Sequence, residues 1–216
     1  MLLTPTINPR SGTVTAERLV VAGGAAVGIL VERGGSLALR DSLVEGNGAA
    51  ARHEGEPPTH AGWRDAAGGR GAGLEARGAG SAPRVERTDF IGGGGAGVFL
   101  HGAAGGRFTD CHMSRNHLPA VELAGAGTDP VLTHCSIEAA GSGRAVLVTE
   151  GAGGRFLDCD LSADNLQPLF IDQAADPTLQ GCRIHGSSEA GVLVTDGGRC
   201  AVMYLPFAPR RASMQP

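Results

Sequence analysis

Short runs of alternating apolar and polar residues recur along this chain, separated by glycine-rich breaks. Val98-Phe-Leu100, Val121-Glu-Leu123, Val146-Leu-Val148 and Leu169-Phe-Ile171 are one set. In an extended strand, neighbouring side chains point to opposite sides, so each run puts two apolar groups on one face. A second phrase begins ten or eleven residues further on: Phe108-Thr-Asp-Cys-His-Met113, Leu132-Thr-His-Cys-Ser-Ile137, Phe156-Leu-Asp-Cys-Asp-Leu161 and Leu179-Gln-Gly-Cys-Arg-Ile184. Its cysteines, Cys111, Cys135, Cys159 and Cys182, follow one another at 24, 24 and 23 residues. No stretch carries the spacing of an amphipathic helix. A fixed period of this length, built from short strands and glycine-rich turns, predicts a β-solenoid.

The period extends upstream. Counting back 23 from Cys111 reaches Thr88, a further 46 reaches Ser42 and another 23 reaches Leu19. The column of small residues therefore reads Leu19, Ser42, a skipped coil, Thr88 and the four cysteines. A longer beat overlies it: Gly106-Arg-Phe108 returns as Gly154-Arg-Phe156, and Asp129-Pro-Val-Leu132 as Asp176-Pro-Thr-Leu179. Two kinds of coil alternate, as duplication of a two-coil unit would leave them. Placing the cysteine and the apolar residue two beyond it inward gives five inward positions per coil. For the Cys159 coil these are Val146, Val148, Phe156, Cys159 and Leu161.

These phrases resemble the repeats of the right-handed parallel β-helix, the pectin-lyase-like superfamily. The likeness is to the β-helical regions of certain F-box proteins and of many bacterial repeat proteins. It covers roughly residues 14–199 and implies an all-β, right-handed parallel β-helix of about seven to eight coils of 22–25 residues. The whole chain, 1–216, reads as a single domain, with an N-terminal coil or cap over 1–26 and a C-terminal cap or tail over 200–216. Residues 50–72 carry no alternating phrase and two adjacent prolines. Proline cannot donate to a central ladder, so an inserted loop is preferred there to a degenerate coil.

Charge and composition narrow the partners. A net charge of −4 and a pI near 6.0 give no electrostatic case for nucleic acid. No stretch approaches the ~20 apolar residues of a membrane span, and none resembles a signal peptide. Equivalent side chains on stacked coils lie about 4.8 Å apart, too far for a disulfide. The cysteines are therefore expected as free thiols in a cytoplasmic, reducing setting. One cysteine per coil in a line cannot form a tetrahedron, so neither a metal nor any other cofactor is expected. The chain has no lysine, which excludes a catalytic one.

Candidate chemistry lies in the columns flanking the cysteines, read as outward strand positions. The preceding column holds Asp41, Arg87, Asp110, His134, Asp158 and Gly181; the following one holds Leu43, Asp89, His112, Ser136, Asp160 and Arg183. Asp110, His134, Asp158, Asp160 and Arg183 are the catalytic candidates, with His112 as a ligand contact. Asp110 and Asp158, two coils apart, would stand about 9.6 Å from each other, near the roughly 6.5–9.5 Å of an inverting carboxylate pair. Pectinolytic members of the resembling superfamily carry their substrate groove on such a face. Against catalysis, the pair recurs with the duplication, and the hydrolase motifs that the resemblance would bring are missing. A further outward column, Leu30, Glu75, Phe99, Glu122, Leu147, Phe170 and Leu193, reads as an exposed apolar stripe fit for docking. Phe99 and Phe170 are its ligand candidates, and Trp63, near His53, His60 and Arg64, is a third. A non-catalytic module binding a protein or glycan partner is the preferred function. The alternative is a polysaccharide lyase or glycoside hydrolase.

Overall fold

A computed structural model describes residues 12–48, 71–140, 143–188 and 190–203. All of the regular structure in these residues is strand, arranged as three parallel sheets that the chain visits in turn. The first sheet holds Thr13–Glu17, Ser36–Arg40, Arg84–Glu86, Arg107–Thr109, Val131–Thr133, Arg155–Leu157, Thr178–Gln180 and Ala201–Met203, in that order. The second holds Val20–Ala22, Leu43–Glu45, Asp89–Ile91, His112–Ser114, Ser136–Glu138, Asp160–Ser162 and Arg183–His185. The third holds Ile29–Glu32, Leu74–Arg77, Val98–His101, Val121–Ala124, Val146–Thr149, Leu169–Ile171 and Val192–Val194. Sequence order equals spatial order in every sheet, so the chain is a β-solenoid of about seven turns. Among the described residues no helix is long and apolar enough to cross a membrane.

The core follows from register. Ala16, Leu39, Val85, Phe108, Leu132, Phe156, Leu179 and Val202 pair successively down the first sheet as one inward column. Val146, Val148, Phe156, Cys159 and Leu161, the five positions expected inward in one coil, are all buried. Such stacking removes nearly all of each large side chain from water, at roughly 1.5–3 kcal/mol apiece. The first sheet runs past the last recognisable phrase, because Ala201–Met203 pairs with Thr178–Gln180.

Between the first and second sheets the chain turns on a single residue in the left-handed region. Arg18, Asp41, Arg87, Asp110, His134, Asp158 and Gly181 fill this corner, with φ from 45° to 65°. The alternation argument put these residues outward on a strand, but a positive φ takes them off it. Each corner N–H still bonds the neighbouring coil, as from Asp110 to the Thr133 carbonyl at 3.1 Å and from Asp158 to Gln180 at 2.8 Å. The next residue points inward and, except for Leu19 at the first corner, carries a side-chain donor. Ser42 Oγ donates to the Arg40 carbonyl at 2.6 Å, Thr88 Oγ1 to Glu86 at 2.9 Å and Cys111 Sγ to Thr109 at 3.3 Å. Cys135, Cys159 and Cys182 do the same, and each of the four thiols also reaches a carbonyl of the preceding coil. All five cysteines of the chain are free.

No coil is skipped between Ser42 and Thr88. Leu43 pairs directly with Asp89, and the Asp89 N–H bonds the Ser42 carbonyl at 3.0 Å. The apparent double period reflects residues 49–70, close to one period in length, which fall between adjacent coils. They, and the candidate Trp63 with them, lie outside the described residues. The glycines that bound them touch: a Cβ on Gly48 would fall 2.3 Å from Gly71 Cα.

Buried asparagines tie the turns after the second sheet. Asn116 donates from Nδ2 to the Phe90 carbonyl at 3.0 Å and accepts the Gly93 N–H at 3.0 Å. Asn47 repeats both contacts with Val21 and Gly24. The chain passes close by: a Cβ on Gly97 would lie 2.7 Å from the Ala120 carbonyl and from Asn116 Nδ2. Asn116→Ala removes both of its bonds and leaves the buried Gly93 N–H without its acceptor. The expected loss is about 2–4 kcal/mol, read as a lower urea midpoint with an unchanged m-value.

Candidate binding surfaces

The corner column and the start of the second sheet form one edge of the solenoid. Here the catalytic candidates do come together, but as a lattice of opposite charges. Arg87 donates from Nε to Asp41 Oδ1 at 2.6 Å and from Nη2 to Oδ2 at 3.0 Å. His134 stands between the two proposed acids, with Nδ1 3.5 Å from Asp110 and Nε2 3.8 Å from Asp158. Asp160 faces His185 Nε2 at 2.6 Å and Arg183 Nη1 at 3.7 Å, and His112 Nε2 lies 3.9 Å from Glu138. Asp158 closes the column by laying its carboxylate over Gly181, where a Cβ would meet Oδ1. A side chain at the last corner would displace it.

The space between the two carboxyls is filled. An inverting pair needs room for substrate and water between its carboxyls, and His134 occupies that room. Asp110 and Asp158 are 51% and 49% exposed and share that one histidine. What the edge supplies is pairing between coils. The Arg87 guanidinium, hydrogen-bonded to Asp41, holds that carboxyl below the usual aspartate range.

The outer face of the third sheet differs. Register aligns Leu30, Glu75, Phe99, Glu122, Leu147, Phe170 and Leu193 in one column, and Glu32, Arg77, His101 and Ala124 in a second. The first column was expected as an exposed apolar stripe. In fact Glu75, Glu122, Leu147 and Phe170 are all buried. Side chains on these coils cover one another: Arg144 Cζ lies 4.1 Å above the Phe170 ring, and His101 stacks on Phe99 at 4.4 Å between centroids.

On the first three strands of the face is a polar cluster that the triplet phrases did not reveal. Arg77 donates from Nε to Glu32 Oε2 at 3.0 Å, and its Nη1 lies 3.7 Å from Glu75 Oε1. His101 Nε2 meets the same Glu75 oxygen at 2.9 Å. Glu75 is 1% exposed, and its second oxygen, Oε2, is buried and has no hydrogen-bond partner among the described residues. Such an oxygen is costly unless something donates to it. Glu32, Arg77 and His101 each stand at the fourth residue of a strand, one place beyond the apolar triplets by which the repeat was found. Among the described residues no group of three or more His, Cys, Asp or Glu is placed to hold a metal ion.

Stacked parallel coils, one sheet order and a repeated corner define a β-helix. The chain belongs to the right-handed beta helix region family, whose family model matches residues 6–165 and again 71–204. The two overlapping matches are what an internally repeated chain gives. Searches of curated proteins and of solved structures found no match.

The Asp41–Arg87 pair carries a pH dependence. Because the folded-state pKa of Asp41 is depressed, its contribution is present above the unfolded aspartate value of about 3.9 and is lost as pH falls through the folded value. Asp41→Asn is therefore expected to destabilise the protein at pH 7. In acid denaturant titrations the difference between the two proteins should close.

Proposed function

We propose that this chain is a non-catalytic β-helical module that binds a protein or carbohydrate partner through the outer face of its third sheet. The observation that carries this reading is the Glu32–Arg77–Glu75–His101 cluster beside Phe99. Core packing requires nothing polar on an outward face, yet here a buried carboxylate keeps an unfilled acceptor next to an aromatic ring. An aromatic platform with fixed hydrogen-bonding groups is the usual equipment of a binding site. The partner is neither nucleic acid nor membrane on this reading, and the free thiols suit a reducing, cytoplasmic setting.

A glycan array run beside reducing-sugar release on uronate and neutral polysaccharides tests the proposal, with the same surface probed for protein partners. The expected result is binding without turnover, weakened about tenfold by Phe99→Ala and unchanged in Asp158→Asn. Sugar release that disappears in Asp158→Asn would overturn it in favour of a lyase or hydrolase acting through the Asp/His edge.

A further inference from the structure

The thiol column fits one kind of ion well. Cys111, Cys135, Cys159 and Cys182 occupy the same inward corner position on four successive coils, with no other residue between them in the column. Coil spacing separates equivalent atoms by about 4.8 Å. A line of sulfurs cannot surround a tetrahedral ion, but it supplies what a two-coordinate one needs. Two metal–sulfur bonds of about 2.3 Å laid end to end span about 4.6 Å, close to one coil step. Soft thiolates select soft ions. A divalent ion on two thiolates is also electrically neutral, so it leaves no net charge in an apolar interior.

We infer that neighbouring cysteines of this column bind a soft, two-coordinate divalent cation such as mercuric ion as a neutral bis-thiolate, with Cys159 and Cys182 as the entry pair. Two S–H bonds are lost, two metal–sulfur bonds form, and two protons leave to solvent for each ion bound. No oxidation or reduction takes place. Cys159–Cys182 comes first because Cys182 is the only one of the four thiols that solvent reaches, the other three being at most 2% exposed. The ion itself displaces the thiol protons, as a coordinating metal does. Cys111 and Cys135, deeper in the column, load only through local opening of the coils. The ion bridges two thiols that only the stacked coils hold one step apart, so it favours the folded state over the unfolded chain and stabilises the solenoid.

The test is a titration of the intact chain with mercuric chloride, followed by the ultraviolet thiolate-to-mercury band, X-ray absorption and thermal melting. Serine is a safe substitution here, because Ser42 fills the same position natively and makes the same carbonyl bond. The first equivalent should show two sulfur neighbours at about 2.3 Å and raise the melting temperature by about 5 °C. Cys159→Ser and Cys182→Ser should each lose that two-sulfur first equivalent, while Cys111→Ser and Cys200→Ser keep it. Three or more sulfurs per ion would overturn the inference. So would one ion per thiol at saturation, a falling melting temperature, or a first equivalent indifferent to Cys159→Ser and Cys182→Ser.

Discussion

The solenoid depends on the one-residue corner between its first and second sheets. A non-glycine residue in the left-handed region costs roughly 1–2 kcal/mol, and six of the seven corners accept it. The return is continuity of pairing. The corner N–H reaches the next coil, and the carbonyl that receives it also accepts a hydroxyl or thiol from its own coil, as Glu86 does from Asp41 N and Thr88 Oγ1. Parallel strands thus change direction without breaking the ladder, and an unpaired backbone group in the core is avoided. The inward position after the corner must be small, because it faces the core. From the second corner on it also donates to a carbonyl, and Ser, Thr and Cys are both small and donors.

The same stacking that builds the core creates an electrostatic problem on the surface. Identical coils would set like charges about 4.8 Å apart along every column. The corner column avoids this by alternating Arg18, Asp41, Arg87, Asp110, His134 and Asp158. Exposed pairs of this kind add little stability individually. Their arrangement instead penalises a slip of one coil against the next, which would bring like charges together. The same demand gives the acidic and histidine residues of this edge a role in stacking.

The third sheet is where the requirements of the fold and those of function separate. Its inner columns are uniform aliphatic residues, while its outer columns combine carboxylates, a guanidinium, an imidazole and aromatic rings. A fold of this kind hosts many unrelated activities, so the reading rests on the outer side chains. Glu75 matters most there, because its two oxygens have different surroundings: one is engaged by His101 and faces Arg77, and the other is buried and unfilled.

The amino-acid sequence by itself determined the period, the inward columns and the cysteine ladder. A coil that must stack on its neighbour repeats its apolar phrase in register, so Val98, Val121, Val146 and Leu169 could be aligned before any coordinate was known. Three things were decided only in three dimensions. The sign of φ at Asp110 or His134 cannot be read from residue type, so alternation placed on a strand what is really a corner. The distance from Ser42 to Thr88 could not reveal that their coils touch, since an intervening length of chain as long as one period counts like a coil. The cluster on the third sheet joins Glu32 to Arg77 across 45 residues and Glu75 to His101 across 26. Stacking a coil against its neighbour brings such residues within hydrogen-bonding reach, and whether a carboxylate there is exposed or buried depends on the side chains that close over it.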